Sequence, residues 1–370
     1  MTTSCIGQED ASRIEHVVRE LEKHKSAVLI YDRAGIRREL DLLTSHLKQA
    51  GTSRLAYGVR FSIKANSNVN LLRWLAEEGV GAEIASMAEF RRARESGMQF
   101  ISATAPGLSI RDVGRLFAYG VELNIDNLIQ LDGVPPASKI GLRLCMPLES
   151  TADGHESQQS RFGLDINDVA LHERLRARNH EVVRLHGHFR DIGRAEQLKS
   201  LARRLVSATK IFPGVATINL GGGMTRLYRD PTGAEQAWLH CASVFRELPD
   251  GTRLLVEPGA QLTTNHGYLG TRVLSVTHRS NGRQLAVINS SRWNLITWSK
   301  YELIYPIPKA EGVITDIVGP TCYENDIWIV GVQLPELQPG QQLIFKGVGA
   351  YVASMAKRMH ELKIPREILV

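Results

Sequence analysis

Short apolar runs recur along the first two thirds of this chain, and most are followed by a longer stretch with helical spacing. The runs fall at residues 57–63, 81–85, 100–104, 121–125, 140–144, 183–188, 216–220 and 253–257. Helix-like stretches lie at 71–79, 87–97, 109–119, 194–211 and 234–247. Strand and helix in alternation imply a parallel sheet, because a parallel pair needs a crossover between its strands. Eight such units match a (β/α)8 TIM-type barrel, expected over residues 27–265, with an open doubly wound sheet as the alternative. Ahead of them, 9–26 has the spacing of an amphipathic helix (Ile14, Val17, Val18, Leu21), and 27–31 reads as a strand.

Near Gly259 the texture changes. Strand-like runs at 285–288, 327–330 and 342–345 are split by Gly, Pro and Asn without helical periodicity. Residues 266–370, with part of 1–26, are therefore expected to form a separate, mostly β domain. The polar stretch 149–160 is expected to be a mobile loop above the barrel mouth.

Composition narrows the function classes. Hydrophobic residues make up 43% and charged residues 23%, the balance of an ordinary soluble globular protein. No apolar run approaches a membrane span, and no basic-then-apolar leader opens the sequence, so a cytoplasmic location is expected. Cys5, Cys145, Cys241 and Cys322 lie far apart, which suggests neither a zinc site nor a disulfide framework. The net charge of +6 is spread without aromatic interleaving and does not read as a nucleic-acid footprint.

In a barrel of this kind chemistry belongs at the C-terminal ends of the strands. There the sequence places Lys64, Glu83, Arg143, His186 and His188, then Gly221-Gly222-Gly223 and Glu257-Pro258-Gly259. Each has a plain structural explanation alone: a surface lysine, a hydrogen-bonding histidine, a tight turn. Their convergence on one rim favours a site. A lysine at the end of a buried strand is expected to be partly desolvated, which frees its amine as a nucleophile. Three glycines leave backbone N–H groups open to a phosphate. With an imidazole and a buried carboxylate added, the set suits pyridoxal phosphate.

The chain resembles the ornithine/diaminopimelate/arginine decarboxylase family, the fold-type III pyridoxal-phosphate enzymes. The resemblance rests on an ordered set of segments: Ile63-Lys64-Ala65-Asn66-Ser67-Asn68, Ala82-Glu83-Ile84-Ala85-Ser86-Met87-Ala88-Glu89, Ser160-Arg161-Phe162-Gly163, His186-Gly187-His188, Gly221-Gly222-Gly223, Glu257-Pro258-Gly259, Gly319-Pro320-Thr321-Cys322 and Gly349-Ala350-Tyr351. It implies that Lys64 binds the cofactor covalently, His188 stacks on its ring, and Glu257 pairs with the ring nitrogen. It implies that Gly221, Gly222 and Gly223 hold the phosphate, that Tyr351 touches the phosphate end, and that Glu83 and Glu89 lie near the cofactor. It makes Cys322 the general acid, reaching the site of the other subunit in a homodimer, and assigns Arg143, Tyr323 and Glu324 to the substrate.

Several positions depart from the family pattern. His-x-Gly-Ser reads His188-Phe189-Arg190-Asp191, and Glu-Pro-Gly-Arg reads Glu257-Pro258-Gly259-Ala260, so two phosphate contacts are missing. Arg190 is the expected replacement charge. The acidic residue after the cysteine has become Tyr323, with Glu324 next, and the family's Asp-Gly segment reads Asn289-Ser290-Ser291-Arg292. These changes point to a modified amino acid in a specialised pathway, such as siderophore or antibiotic assembly. An amino-acid racemase on the same barrel and a cofactor-binding protein without catalysis remain alternatives.

Overall fold

A computed structural model describes residues 8–146, 160–308 and 311–370. Except for Ser160, the stretch expected as a mobile loop lies outside the described residues. The chain divides into two compact units, residues 38–261 and residues 1–37 with 262–370, the first boundary falling inside a helix.

In chain order the elements begin with α1 (Gln8–Glu22), β1 (Val28–Tyr31) and α2 (Arg33–Gly51). Eight strands follow: β2 (Ala56–Ser62), β3 (Gly81–Ile84), β4 (Ile101–Ala103), β5 (Glu122–Ile125), β6 (Lys139–Arg143), β7 (Glu181–His186), β8 (Thr217–Asn219) and β9 (Arg253–Val256). Helices α3 (Val69–Glu77), α4 (Met87–Glu95), α5 (Ile110–Ala118), α6 (Val169–Ala177), α7 (Ala195–Ala208) and α8 (Pro231–Phe245) lie between them. Every strand pair is parallel, and β2 pairs with β9, so the sheet closes into a barrel and the open-sheet alternative is excluded. After β5 a 3-10 turn, Leu128–Gly133, stands where the repeat calls for a helix.

Alternation along the strands decides what fills the barrel. On β2, Val59 and Phe61 are buried, while Arg60 and Ser62 point the other way. Arg60 pairs with Glu122 on β5, a strand that is not its neighbour, so both side chains lie in the interior. Glycine makes the room: a Cβ on Gly81 would stand 2.6 Å from Arg60 Cδ, and one on Gly141 would stand 3.1 Å from Arg184 Cβ. The helices cover the outer face with apolar stripes. On α7, Leu198, Leu201, Ala202 and Leu205 are buried at helical spacing.

The second unit is a mostly β body. Its strands are β10 (Gly267–His278), β11 (Gln284–Ile288), β12 (Glu302–Tyr305), β13 (Val313–Val318), β14 (Ile327–Leu334), β15 (Gln342–Lys346) and β16 (Arg366–Leu369). They run in the order β12-β15-β10-β11-β13-β14, with β1 pairing both β10 and β16. Residues 28–31, expected within a barrel beginning at 27, instead add a strand to this sheet, and the barrel unit begins at Arg38. The apolar cluster of Val17, Leu21, Val28, Ile30, Tyr268 and Ile344 binds α1 to the same body.

Candidate active site

The segment after β2 shows how local sequence presents a lysine. The strand ends at Ser62, and Lys64 sits in a 3-10 turn, Ile63–Ala65. Asn66 Oδ1 accepts from Asn68 N–H at 3.0 Å, and Asn68 Oδ1 caps α3 by accepting from Asn70 and Leu71 at 3.0 Å each. The run Asn66-Ser67-Asn68 therefore stops the strand and starts the helix. Lys64 Nζ lies 2.9 Å from Glu83 Oε2; the lysine side chain is 46% exposed and the glutamate 1%. Burial does not set this lysine apart, contrary to the sequence expectation. Its position against a buried carboxylate at the rim does.

Glu83 is on β3, and the next turn is a capping arrangement. Ser86 Oγ accepts from Glu89 N–H at 3.2 Å, and Glu89 Oε2 accepts from Ala85 N–H at 2.6 Å. Burial raises the Glu89 pKa; the Ala85 hydrogen bond and Lys64 oppose this, and Glu83 adds to it.

Directly after β9, the strand paired with β2, Glu257 is held from both sides. Its Oε2 lies 3.1 Å from His186 Nε2, and its Oε1 accepts from Asn219 Nδ2 at 2.7 Å. Burial acts to raise its pKa. The His186 charge and hydrogen bond, the Lys64 charge and the Asn219 hydrogen bond outweigh burial and hold the carboxyl well below its ordinary range. Lone pairs remain on both oxygens for a further donor.

His188 lies two residues beyond the end of β7, and its Nδ1 accepts from Gly222 N–H at 3.2 Å. Burial, followed by the charges of His186, Lys64 and Arg143, pushes its pKa down to about 3, with Glu257 opposing. The ring is neutral at physiological pH. A histidine with a depressed folded pKa binds its proton more weakly folded than unfolded, so stability is full above 6.5 and falls as pH drops from there toward 3. In cofactor-free protein, His188→Phe is therefore expected to narrow its stability gap to wild type between pH 7.5 and pH 5. Urea midpoints at the two pH values measure this, and parallel midpoints contradict it.

The glycine loop is shaped by backbone. Gly221 and Gly223 have φ of +62° and +83°. A Cβ on Gly222 would stand 2.3 Å from the Glu257 carbonyl oxygen, and one on Gly221 would stand 2.8 Å from His188 Nδ1. Larger residues would break this cradle. Asp191 pairs with Arg226 at 3.2 Å, and Arg190 is exposed. Arg143 on β6 donates to Asp126 Oδ2 at 2.8 Å and lies 4.5 Å from the Phe162 ring centroid.

Lys64, Glu83, Arg143, His188, Gly221, Gly222, Gly223 and Glu257 thus all lie at the C-terminal end of one barrel. Sequence reading passed over Asn219 and Asp126. Their signal was a polar residue just before the triple glycine and a carboxylate directly after β5. In the β unit, Asp326 was also missed. It is buried and accepts from Thr321 Oγ1 at 2.7 Å and Trp293 N–H at 3.0 Å. It thereby shapes the turn carrying Cys322, whose own N–H donates to His360 Nε2 at 3.1 Å. Cys322 and Glu324 are exposed, Tyr323 packs on Trp293 at 4.4 Å, and Tyr351 has φ of +57° and stacks on Trp298.

Residues 37–264 match the family model described as "Pyridoxal-dependent decarboxylase, pyridoxal binding domain". The chain belongs to this family. The decarboxylase is 30% identical over 346 residues to diaminopimelate decarboxylase of Deinococcus radiodurans, covering 90% of this chain and 87% of that one. Its fold is also that of diaminopimelate decarboxylase from M. jannaschii, solved with L-lysine (TM-score 0.81, 18% identity, 96% and 89% of the two chains). Arginine decarboxylase of Paramecium bursaria Chlorella virus, solved with agmatine, shares it as well (TM-score 0.78, 18% identity, 97% and 100%). Pyridoxal phosphate is the family's cofactor and that of this enzyme. The residues present fit it: an accessible amine, a carboxylate kept ionised, a neutral imidazole, and a glycine loop packed too closely on Glu257 and His188 to admit a side chain.

Proposed function

We propose that the enzyme removes the α-carboxylate of an amino acid whose distal end is modified, in a specialised biosynthetic pathway. The observation that carries the reaction is the ionised Glu257, fixed between His186 and Asn219 within range of the Lys64 charge. The cofactor, when bound, supplies an electron sink for the pair left behind as carbon dioxide departs. Lys64 would hold the cofactor covalently, and Glu83 positions the Lys64 amine at the rim. Glu257 keeps a proton on the ring nitrogen, and a neutral His188 offers its face for stacking. Of the three glycines only Gly223 would offer its backbone N–H to the phosphate, contrary to the sequence expectation, because the N–H groups of Gly221 and Gly222 are donated to Asn219 Oδ1 at 2.9 Å and His188 Nδ1 at 3.2 Å; Tyr351 would support that end. Cys322, supplied by the partner copy in a homodimer, returns a proton to the α-carbon.

Arg190 stands in for the missing phosphate contacts in this reading, since charge-assisted hydrogen bonds are the strong ones. Arg190→Ala is expected to weaken cofactor affinity about tenfold, measured by absorbance titration. Unchanged affinity would remove Arg190 from the site.

The substrate reading rests on Tyr323, which stands where the family has a carboxylate and packs on Trp293, with Glu324 exposed beside it. Arg143 is proposed as a further substrate contact. A second reading, diaminopimelate itself, is favoured by the relative at 30% identity. A panel of carboxyl-labelled amino acids, including diaminopimelate, lysine, ornithine, arginine and carboxyalkylated diamines, decides between them. A carboxyalkylated or otherwise modified compound is expected to give the highest kcat/KM. Diaminopimelate leading by tenfold or more would overturn the modified-substrate reading.

A further inference from the structure

We propose that the N-terminal half of the barrel interior, opposite the catalytic rim, binds a small inorganic anion held by Arg60, Arg184 and Arg253. The three arginines converge on one carboxylate, Glu122. Arg253 NH2 lies 2.5 Å from Glu122 Oε1, and Arg60 NH2 lies 3.6 Å from Oε2. Arg184 NH2 donates to the Leu123 carbonyl at 3.0 Å. Arg184 and Arg253 both pair in register with Thr217, which sets them at one height in the barrel. Glu257, the other carboxylate acting on Arg60, is committed to His186 and Asn219.

Three guanidinium groups thus share the single charge of Glu122, and among the described residues Arg184 has no carboxylate within ion-pair distance. Guanidinium groups do not relieve this by losing a proton. Among the described residues the buried Nε atoms of Arg60 and Arg184 have no hydrogen-bond partner, Glu122 Oε2 at 3.6 Å from Arg60 does not reach hydrogen-bond distance either, and the Arg60 side chain is only 5% exposed. Unpaired buried donors and uncompensated buried charge are both unfavourable, and one anion accepting N–H hydrogen bonds relieves both. Glu122 and Arg253 retain 25% and 30% exposure, which gives an ion its path in from solvent. Chloride and inorganic phosphate share the required chemistry.

The test is thermal unfolding of the holoenzyme at saturating cofactor. In one arm gluconate is replaced by chloride at constant ionic strength, and in the other by phosphate. Wild type is expected to show a saturable rise of roughly 3–5 °C in at least one arm, and that arm identifies the ion. Arg184→Met should abolish the response, and Glu122→Gln should shift half-saturation to about tenfold lower anion concentration. If Glu122→Gln does not fold, wild type against Arg184→Met decides alone. A flat wild-type response in both arms, or an equal response in Arg184→Met, overturns the site.

Discussion

Lys64→Ala is expected to yield a folded, colourless protein whose decarboxylation rate is lower by three or more orders of magnitude. The magnitude follows from the role proposed for the residue. A covalent anchor divides one difficult exchange into two easier ones, and among the described residues no other group placed at the rim can take that part. Arg143 is a guanidinium paired with Asp126, and His188 spends its Nδ1 on Gly222. Folding should survive because the lysine side chain is nearly half exposed. Glu83, 1% exposed, loses its cationic partner, so a modest drop in unfolding temperature accompanies the change. Activity within tenfold of wild type would remove Lys64 from the reaction.

Glu257→Gln is expected to retain the fold and the cofactor but to slow decarboxylation by about two to three orders of magnitude. An amide of the same shape can still meet His186 and Asn219, so the packing is preserved. It cannot carry the negative charge proposed to keep a proton on the ring nitrogen. Glu257→Ala should be worse for stability, by about 3–5 kcal/mol, because it strands His186 and Asn219 in the barrel interior. A Gln variant with unchanged kcat would show that the carboxylate's charge is not used.

Much of this site was legible from the sequence because a parallel barrel converts strand order into a ring. Eight apolar runs, five of them carrying a charged residue or histidine at the C-terminal end, are enough to place Lys64, Glu83, Arg143, His188 and Glu257 on one rim. Partners were harder to read. Asn219 and Asp126 act through side chains brought close by strand pairing and by the loop at Gly163, and their sequence neighbours do not announce them. The same holds for Arg60 and Glu122, which meet across the barrel interior. Residues 28–31 have the composition of any buried strand; only their register with β10 and β16 assigns them to the β unit. The exposure of Lys64 could not be read at all, since a strand-end position does not reveal how open the barrel mouth is.

The most direct measurement is borohydride reduction of the cofactor-loaded enzyme, followed by peptide mapping of the labelled residue by mass spectrometry. Label on the peptide carrying Lys64, at about one per chain, is the expected result. Label on a different lysine, or none on a protein that decarboxylates its substrate, would contradict the assignment on which the site rests.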